Sequence, residues 1–423
     1  LFNNLIQKLF QSKTIKNFLI YGFGQGINIL SPLLITPFLI YVCGLEKLGM
    51  IAIGQSLAYI LNVIVDYSSF IIGVKETTIN RHNTTHLEKI FITNYAAKVV
   101  LLMVVILFVA VLVFFVPFFK AIGLMIIYST TIIIAQLVNP TWFLQGIENF
   151  KWITLINVLG KIIYFVGVFL CIQSVDDYIY ANLWLGCGAI IANAIGFIWI
   201  VKKYQFSFAT LKMKEVATLL QRDFTFCLSQ LFFAIRNYSS VIIISYFAGD
   251  LIAGKFKVIE QIINFFRTYL QLFFKFSYSY VCFAMDKSSK AGLQLWRKFN
   301  GLNLSFTTVL LIMVGVFSFW VLTFFRVEPN HINQLENYLH IALVIPFLIG
   351  ITLPLEQLLF SLNKNKEYIR TTIIMTCFNI VTMSLVMKFY SLKEAFILLI
   401  ITEAILIAIY LRLLRPYFLK ETK

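Results

Sequence analysis

"KFKVIEQIINFFRTYLQLFFK", residues 255–275, is long enough to cross a membrane, yet it carries Lys255, Lys257, Glu260, Arg267 and Lys275. Whether it crosses decides the fold, because each crossing reverses the side on which every later connector emerges. On a helix advancing 100° per residue, Lys257, Glu260, Asn264, Arg267, Gln271 and Lys275 share an arc of about 80°. The other faces hold Ile262, Ile263, Phe265, Phe266, Leu270, Phe273 and Phe274. A narrow polar stripe on such a helix permits a crossing with one face on a water-filled cavity. The competing arrangement lies flat at the interface or lets its cations snorkel. Snorkelling suits Lys257 and Lys275, nearer the ends, and suits the central Arg267 poorly.

The composition favours a crossing. The 423 residues are 60% hydrophobic and 13% charged, whereas a soluble domain averages roughly 45–50% apolar and about 25% charged. One water-soluble core cannot bury that excess, and long apolar runs recur along the whole chain. The net charge of +16 could indicate nucleic acid, but the basic residues sit mainly in short connectors, so membrane topology explains them and no nucleic-acid partner is expected. The six cysteines are scattered, with no CxxC pair, and read as small packing residues.

At about 20 apolar residues per crossing, the sequence predicts an all-α polytopic membrane protein of about 12 helices. They fall near 18–41, 51–74, 90–116, 124–144, 153–173, 180–201, 224–248, 255–282, 301–325, 338–362, 370–388 and 393–411. With a cytoplasmic N-terminus, the inside connectors hold groups such as Lys202, Lys203, Lys212, Lys214 and Arg222, or Lys287, Lys290, Arg297 and Lys298. The outside connectors hold only Lys47, Lys120, Lys255, Arg326, Lys388 and Lys393. Both termini are therefore expected inside, and dropping the 255–282 crossing would spoil this asymmetry. The expected domains are a six-helix lobe over 1–201, a cytoplasmic linker over 202–223 and a second six-helix lobe over 224–423, around a central cationic cavity. Residues 1–12 place Leu1, Phe2, Leu5, Ile6, Leu9 and Phe10 on one face, as in an amphipathic helix on the membrane surface. At an offset of 205, Gln25, Tyr41, Gly44 and Gly49 match Gln230, Tyr246, Gly249 and Gly254, which suggests a parallel internal repeat.

Charges inside the predicted helices are the candidate site, since an intramembrane ion costs about 2.5–3.5 kcal/mol and is a functional hypothesis by default. The cations are Lys98, Lys161, Arg236, Lys257, Arg267 and Lys275, and the acids are Asp66, Glu260, Glu356 and Glu403. Some cations could simply pair with these acids, but a positive excess remains, and a cationic cavity suits an anionic substrate. The six cations are taken as substrate-binding residues. The four acids are candidates for ion coupling, because burial favours the neutral form of a carboxyl. In the first helix, Gln25 and Asn28 offer hydrogen bonds, and Pro32 and Pro37 are expected to loosen the backbone. Gly22, Gly24 and Gly26 read as packing sites, since no GK[ST] follows them and no phosphate loop occurs elsewhere. No cofactor or metal is expected. A proton or sodium gradient is the expected energy source.

The stretch "PTWFLQGIENFKWITLINVLGKI", residues 140–162, resembles the helix–loop–helix signature of bacterial O-antigen and polysaccharide repeat-unit flippases, through Pro140, Trp142, Gln145, Gly146, Glu148, Lys151 and Asn157. "PLLITPFLIYVCGLEKLGMIAIGQSLAYI", from Pro32, is similar to that family's first hairpin, and "DYSSF" at Asp66 to the acid–aromatic segment after it. The likeness covers nearly the whole chain in helix order, with motifs concentrated in the first half. It implies a place in the multidrug/oligosaccharidyl-lipid/polysaccharide exporter superfamily, with two six-helix lobes around a cavity. The implied substrate is an undecaprenyl-diphosphate-linked oligosaccharide, flipped from the cytoplasmic to the periplasmic leaflet of the bacterial inner membrane. Membrane lipids, a polysaccharide polymerase and chain-length proteins are the expected partners. A flippase for lipid-linked peptidoglycan precursors would usually carry about two more helices. A drug/cation antiporter would favour an acidic cavity. A membrane polymerase or glycosyltransferase should show a large extramembrane domain, whereas the outside connectors here are short.

Overall fold

The computed structural model describes residues 13–362 and 364–421. The surface helix expected over 1–12 lies outside the described residues. Among the described residues every regular element is helical. Ten helical segments are long and apolar enough to cross a membrane. One of them, Gly22–Asp66, is 45 residues long, about twice the 20 or so that a crossing needs. The charged stretch lies within a further unbroken helix, Asp250–Lys287, of 38 residues. Asp250–Lys287 is not among the ten; with it, and with Gly22–Asp66 counted twice, the total is roughly the twelve expected.

The chain forms two compact units, one of Leu1–Ile35 with Met50–Ala234 and the other of Thr36–Gly49 with Ile235–Lys423. Helix α1 (Lys13–Asp66) turns at Gly44, where φ is 81° and ψ is 173°. Pro32 and Pro37 do not break it. The turn falls at Gly44 because a residue without Cβ tolerates that φ.

In the first unit α1 is followed by a π-turn over Ser69–Gly73, α2 (Val74–Ile79), α3 (Thr84–Phe115) and α4 (Pro117–Ala121). Then come α5 (Gly123–Leu137), α6 (Thr141–Gly146), α7 (Phe150–Cys171) and α8 (Tyr180–Tyr204). The single helix expected over 124–144 is interrupted between Leu137 and Thr141, because Pro140 has no N–H to donate and disfavours helix before it. Helix α8 packs on both α7 and α5. The core is aromatic: the Phe91 ring lies 4.5 Å from Tyr95, 5.1 Å from Phe143 and 5.1 Å from Phe206, centroid to centroid. On α3, Leu107, Phe114 and Phe115 are 68%, 72% and 78% exposed. Apolar exposure on that scale belongs in lipid rather than water.

The second half of the expected 202–223 linker is helical, as the start of α9 (Met213–Ala248). Val216 and Leu219 are buried there against Tyr67, Ala97 and Cys227. Their three-residue spacing puts them on one face of a helix, and that face is what converts half of the connector into an element.

The second unit holds α10 (Asp250–Lys287), α11 (Ser289–Val316), α12 (Ser318–Phe324), α13 (Pro329–Ala342), α14 (Val344–Ser361), α15 (Asn365–Phe389) and α16 (Leu392–Glu421). Helix α10 packs against α11 and α14, and α14 against α16. Leu355, Leu358, Leu359, Tyr410 and Leu414 form the buried centre between α14 and α16.

The offset of 205 residues reappears in the backbone. Gly249, with φ 87° and ψ 166°, adopts nearly the conformation of Gly44 and likewise opens a helix. Five residues further on, a Cβ at Gly49 would strike the carbonyl of Asp250, and a Cβ at Gly254 would strike the carbonyl of Leu45. The two helix starts cross backbone to backbone, each through its own glycine. This contact explains why Thr36–Gly49 groups with the second unit rather than the first.

Candidate functional site

Each unit gathers a polar cluster. In the first, Asp66 ends α1 and three donors converge on its carboxylate. Lys98 Nζ lies at 3.4 Å, Gln136 Nε2 at 2.7 Å and the Phe70 N–H at 3.3 Å. Lys98 is 1% exposed and its ammonium rests 5.7 Å from the Tyr95 ring and 6.0 Å from that of Trp142. A cation so buried is held by its counter-ion and by the faces of the rings. The network continues as Asn139 Nδ2 donates to Gln136 Oε1 (3.0 Å), while Asn139 Oδ1 accepts from the Thr141 N–H and hydroxyl (3.0 and 2.7 Å). The interruption before α6 thus brings Asn139 against Gln136 at the end of α5.

Two adjoining cavities, of about 310 and 260 Å³, share Asn62, Gln136, Asn139 and Thr141 as walls. The larger also meets Asp66, Phe226 and Gln230. The smaller meets Asn28, Tyr59, Asn157, Lys161 and Asn193. Asn157 and Lys161 are one helical turn apart on α7 and present one face. Close packing of α7 on α8 sets that face, since a Cβ at Gly188 would lie 2.5 Å from the Gly160 carbonyl. The Lys161 ammonium lies 5.8 Å from the Tyr164 ring, and among the described residues no carboxylate stands within ion-pair distance of it. The smaller cavity therefore offers one uncompensated cation amid amide side chains. Those groups match a phosphate oxygen and sugar hydroxyls respectively.

In the second unit Arg236 Nη2 meets Glu403 Oε1 at 2.6 Å, and the Thr352 hydroxyl donates to Glu403 Oε2 at 3.0 Å. Glu356, one turn beyond Thr352 on α14, is buried and accepts from the Tyr410 hydroxyl at 3.4 Å. Among the described residues it has no cation within ion-pair distance. On α10, Lys257 and Glu260 pair with each other at 2.7 Å. Arg267 Nη1 donates to Asn264 Oδ1 at 3.0 Å, with no described carboxylate in ion-pair range, and Lys275 is exposed.

The ten candidate residues thus sort themselves. Asp66–Lys98, Arg236–Glu403 and Lys257–Glu260 are brought together as pairs. Among the described residues Lys161, Arg267 and Glu356 have no ion pair with another candidate, and Lys275 lies exposed on α10. The excess of cations read from the sequence falls on Lys161 and Arg267, which have no carboxylate within ion-pair distance among the described residues, while Arg236, taken as a substrate-binding residue, is matched by Glu403. Gln136, Asn139, Asn62, Thr352 and Tyr410 escaped the sequence reading because uncharged polar residues are common in membrane helices. The interval Gln136–Asn139, just before Pro140 in an otherwise apolar run, was the available signal. Asp223, at the end of the expected cytoplasmic linker, is buried, taking the Ser68 hydroxyl at 2.6 Å and Arg222 at 2.6 Å.

The fold is that of the MOP superfamily of transporters. A lipid II flippase, MurJ, in an inward closed conformation aligns at a TM-score of 0.71 with 14% identity, over 95% of this chain and 90% of that one. A MOP superfamily transporter from Pyrococcus furiosus aligns at 0.62 with 13% identity, over 96% and 95%. A model of the family described as polysaccharide biosynthesis protein matches residues 14–277, and the chain belongs to that family. It is also similar to two proteins named as O-antigen transporters. The one from Escherichia coli (strain K12) is 22% identical over 249 residues, 59% of this chain and 60% of that protein. The one from Shigella dysenteriae is 22% identical over 248 residues, 58% and 62%. The matched segments thus span less than two thirds of either relative.

Proposed function

We propose that this multi-pass membrane protein is a flippase that moves an undecaprenyl-diphosphate-linked oligosaccharide from the cytoplasmic to the periplasmic leaflet of a bacterial inner membrane, with both termini cytoplasmic. The observation that carries this reading is Lys161, a cation with no carboxylate in ion-pair range among the described residues, in a cavity lined by Asn28, Asn62, Gln136, Asn139, Asn157 and Asn193. A drug-like organic cation would be repelled there, whereas a diphosphate bearing sugars finds a charge and many amide dipoles. Arg267 supplies a second such cation in the other unit. The names of the relatives and the fold support the same substrate class. The action is secondary transport by alternating access rather than bond chemistry, driven by a proton or sodium gradient, with polysaccharide polymerase and chain-length proteins acting on the delivered substrate.

The test is complementation of a strain whose own repeat-unit flippase is deleted. Restored surface polysaccharide, with loss of the accumulated lipid-linked repeat unit, is expected for the parent chain. Lys161→Met should reach the membrane in equal amount and fail to restore it. Normal surface polysaccharide from the Lys161→Met, Arg267→Ala double variant would overturn the reading.

A further inference from the structure

In the first unit, the connector before α9 forms a strap. It is pinned at both ends to consecutive residues of α3. The Ser207 N–H donates to Glu88 Oε1 at 2.7 Å, and Glu215 pairs with Lys89 at 2.8 Å. Between the pins lie Phe208, Leu211 and Met213, 43%, 37% and 61% exposed. Beneath them is a groove of about 410 Å³ walled by Val99 and Val100 of α3, Leu137 and Val138, and Phe197 of α8. Tyr95 also borders it, but its hydroxyl is engaged by the Asn139 carbonyl at 3.0 Å. The groove is of ligand size and offers an occupant only apolar surface.

The strap is basic. Lys212 and Lys214 alternate in sequence with Leu211 and Met213, both are exposed, and among the described residues neither meets a carboxylate. Of the two acids nearby, Glu88 accepts the strap's own N–H and Glu215 is paired. An apolar slot walled by membrane-spanning helices, with two exposed lysines in the strap segment that supplies its wall residues Leu211 and Met213, fits an amphiphile with an anionic head.

We infer that this groove binds an anionic membrane phospholipid, one acyl chain beneath the strap and the phosphate between Lys212 and Lys214. The lipid completes the packing of a segment whose apolar residues are otherwise bare, and so holds the start of α9 in place. The site is separate from the carboxamide cavities and does not depend on the transported substrate. A long polyprenyl chain is the less fitting occupant, because a groove of about 410 Å³ encloses only part of it and the nearby lysines lie outside the polar network.

The full chain, reconstituted in vesicles, would be irradiated with phosphatidylglycerol or phosphatidylcholine carrying a chain diazirine, and the adducts mapped by mass spectrometry. Phosphatidylglycerol adducts should concentrate on the segments bearing Val99, Val100 and Phe208. Lys212→Gln with Lys214→Gln should lower that capture about 25-fold, about fivefold per lysine. Ala96 is another wall of the groove, and Ala96→Phe, which fills the slot, should lower capture while leaving the lysines intact. Equal capture of both lipids in the groove, unchanged capture in the lysine variant, or displacement of phosphatidylglycerol by a polyprenyl diphosphate at low occupancy would each overturn the assignment.

Discussion

Arg236 and Glu403 are 167 positions apart in sequence and 2.6 Å apart in space, joining α9 to α16 in a pair whose side chains are 12% and 10% exposed. Such a pair is sensitive in an asymmetric way, because removing one partner strands the other charge, while removing both costs little.

Glu403→Gln alone should therefore destabilise the protein by about 3–5 kcal/mol, read as a lower midpoint of thermal unfolding in detergent. Arg236→Met with Glu403→Met should recover most of that loss. A double variant as unstable as the single would show that the pair does more than balance charge.

Among the described residues Lys161 and Arg267 have no such carboxylate partner, and their loss should be felt in binding rather than in folding. Removing a charge-assisted bond to a phosphate is worth about 1.5–3 kcal/mol, so Lys161→Met should weaken binding of a lipid diphosphate about 10- to 150-fold. Arg267→Lys should retain part of the activity that Arg267→Ala loses, since the charge survives while the planar fork does not. Val166→Ala, on the exposed face of α7, is the neutral control.

Periodicity reports which residues share a face of one helix, and that much was legible. The stripe of Lys257, Glu260, Asn264, Arg267, Gln271 and Lys275 does lie on one unbroken helix, and its Lys257–Glu260 bond is the local i, i+3 contact such a face permits. Spans such as 180–201 and 370–388 came within a few residues of Tyr180–Tyr204 and Asn365–Phe389. Which face meets which lies beyond any one-helix pattern. The Arg236–Glu403 and Lys98–Asp66 pairs join distant segments, and only packing decides between pairing and exposure. The Gln136–Asn139 cluster depended on an interruption at Pro140 that an apolar count passes over.

Glu356 is the acid best placed to couple transport to protons, because its described partner is a hydroxyl rather than a cation. Glu356→Gln should flatten the dependence of transport on external pH, while Glu403→Gln should chiefly lower the amount of folded protein. Transport by Glu356→Gln with the parent's full pH profile would remove Glu356 from the coupling scheme.

Topology can be read from two exposed positions. Single cysteines at Ser207, in the strap, and at Asn333, in α13, on a background without the native cysteines, should react with an impermeant maleimide from opposite sides of the membrane. Reaction from one side would overturn the twelve-crossing arrangement.

The glycines divide by neighbourhood rather than by residue type. Gly49→Ala and Gly254→Ala each drive a methyl into a carbonyl and should cost about 1–3 kcal/mol or more, measured by thermal unfolding. Gly22→Ala and Gly26→Ala meet nothing within 4 Å and should be silent in the same measurement.

At that crossing the obstacle to each glycine's side chain is the copy of its own neighbourhood, Asp250 for Gly49 and Leu45 for Gly254. The two positions therefore form one contact, repeated at the 205-residue offset. A change tolerated at one must be answered in the other, and the pair can drift only in step. Gene duplication would have supplied both halves of the joint at once, already fitted to each other.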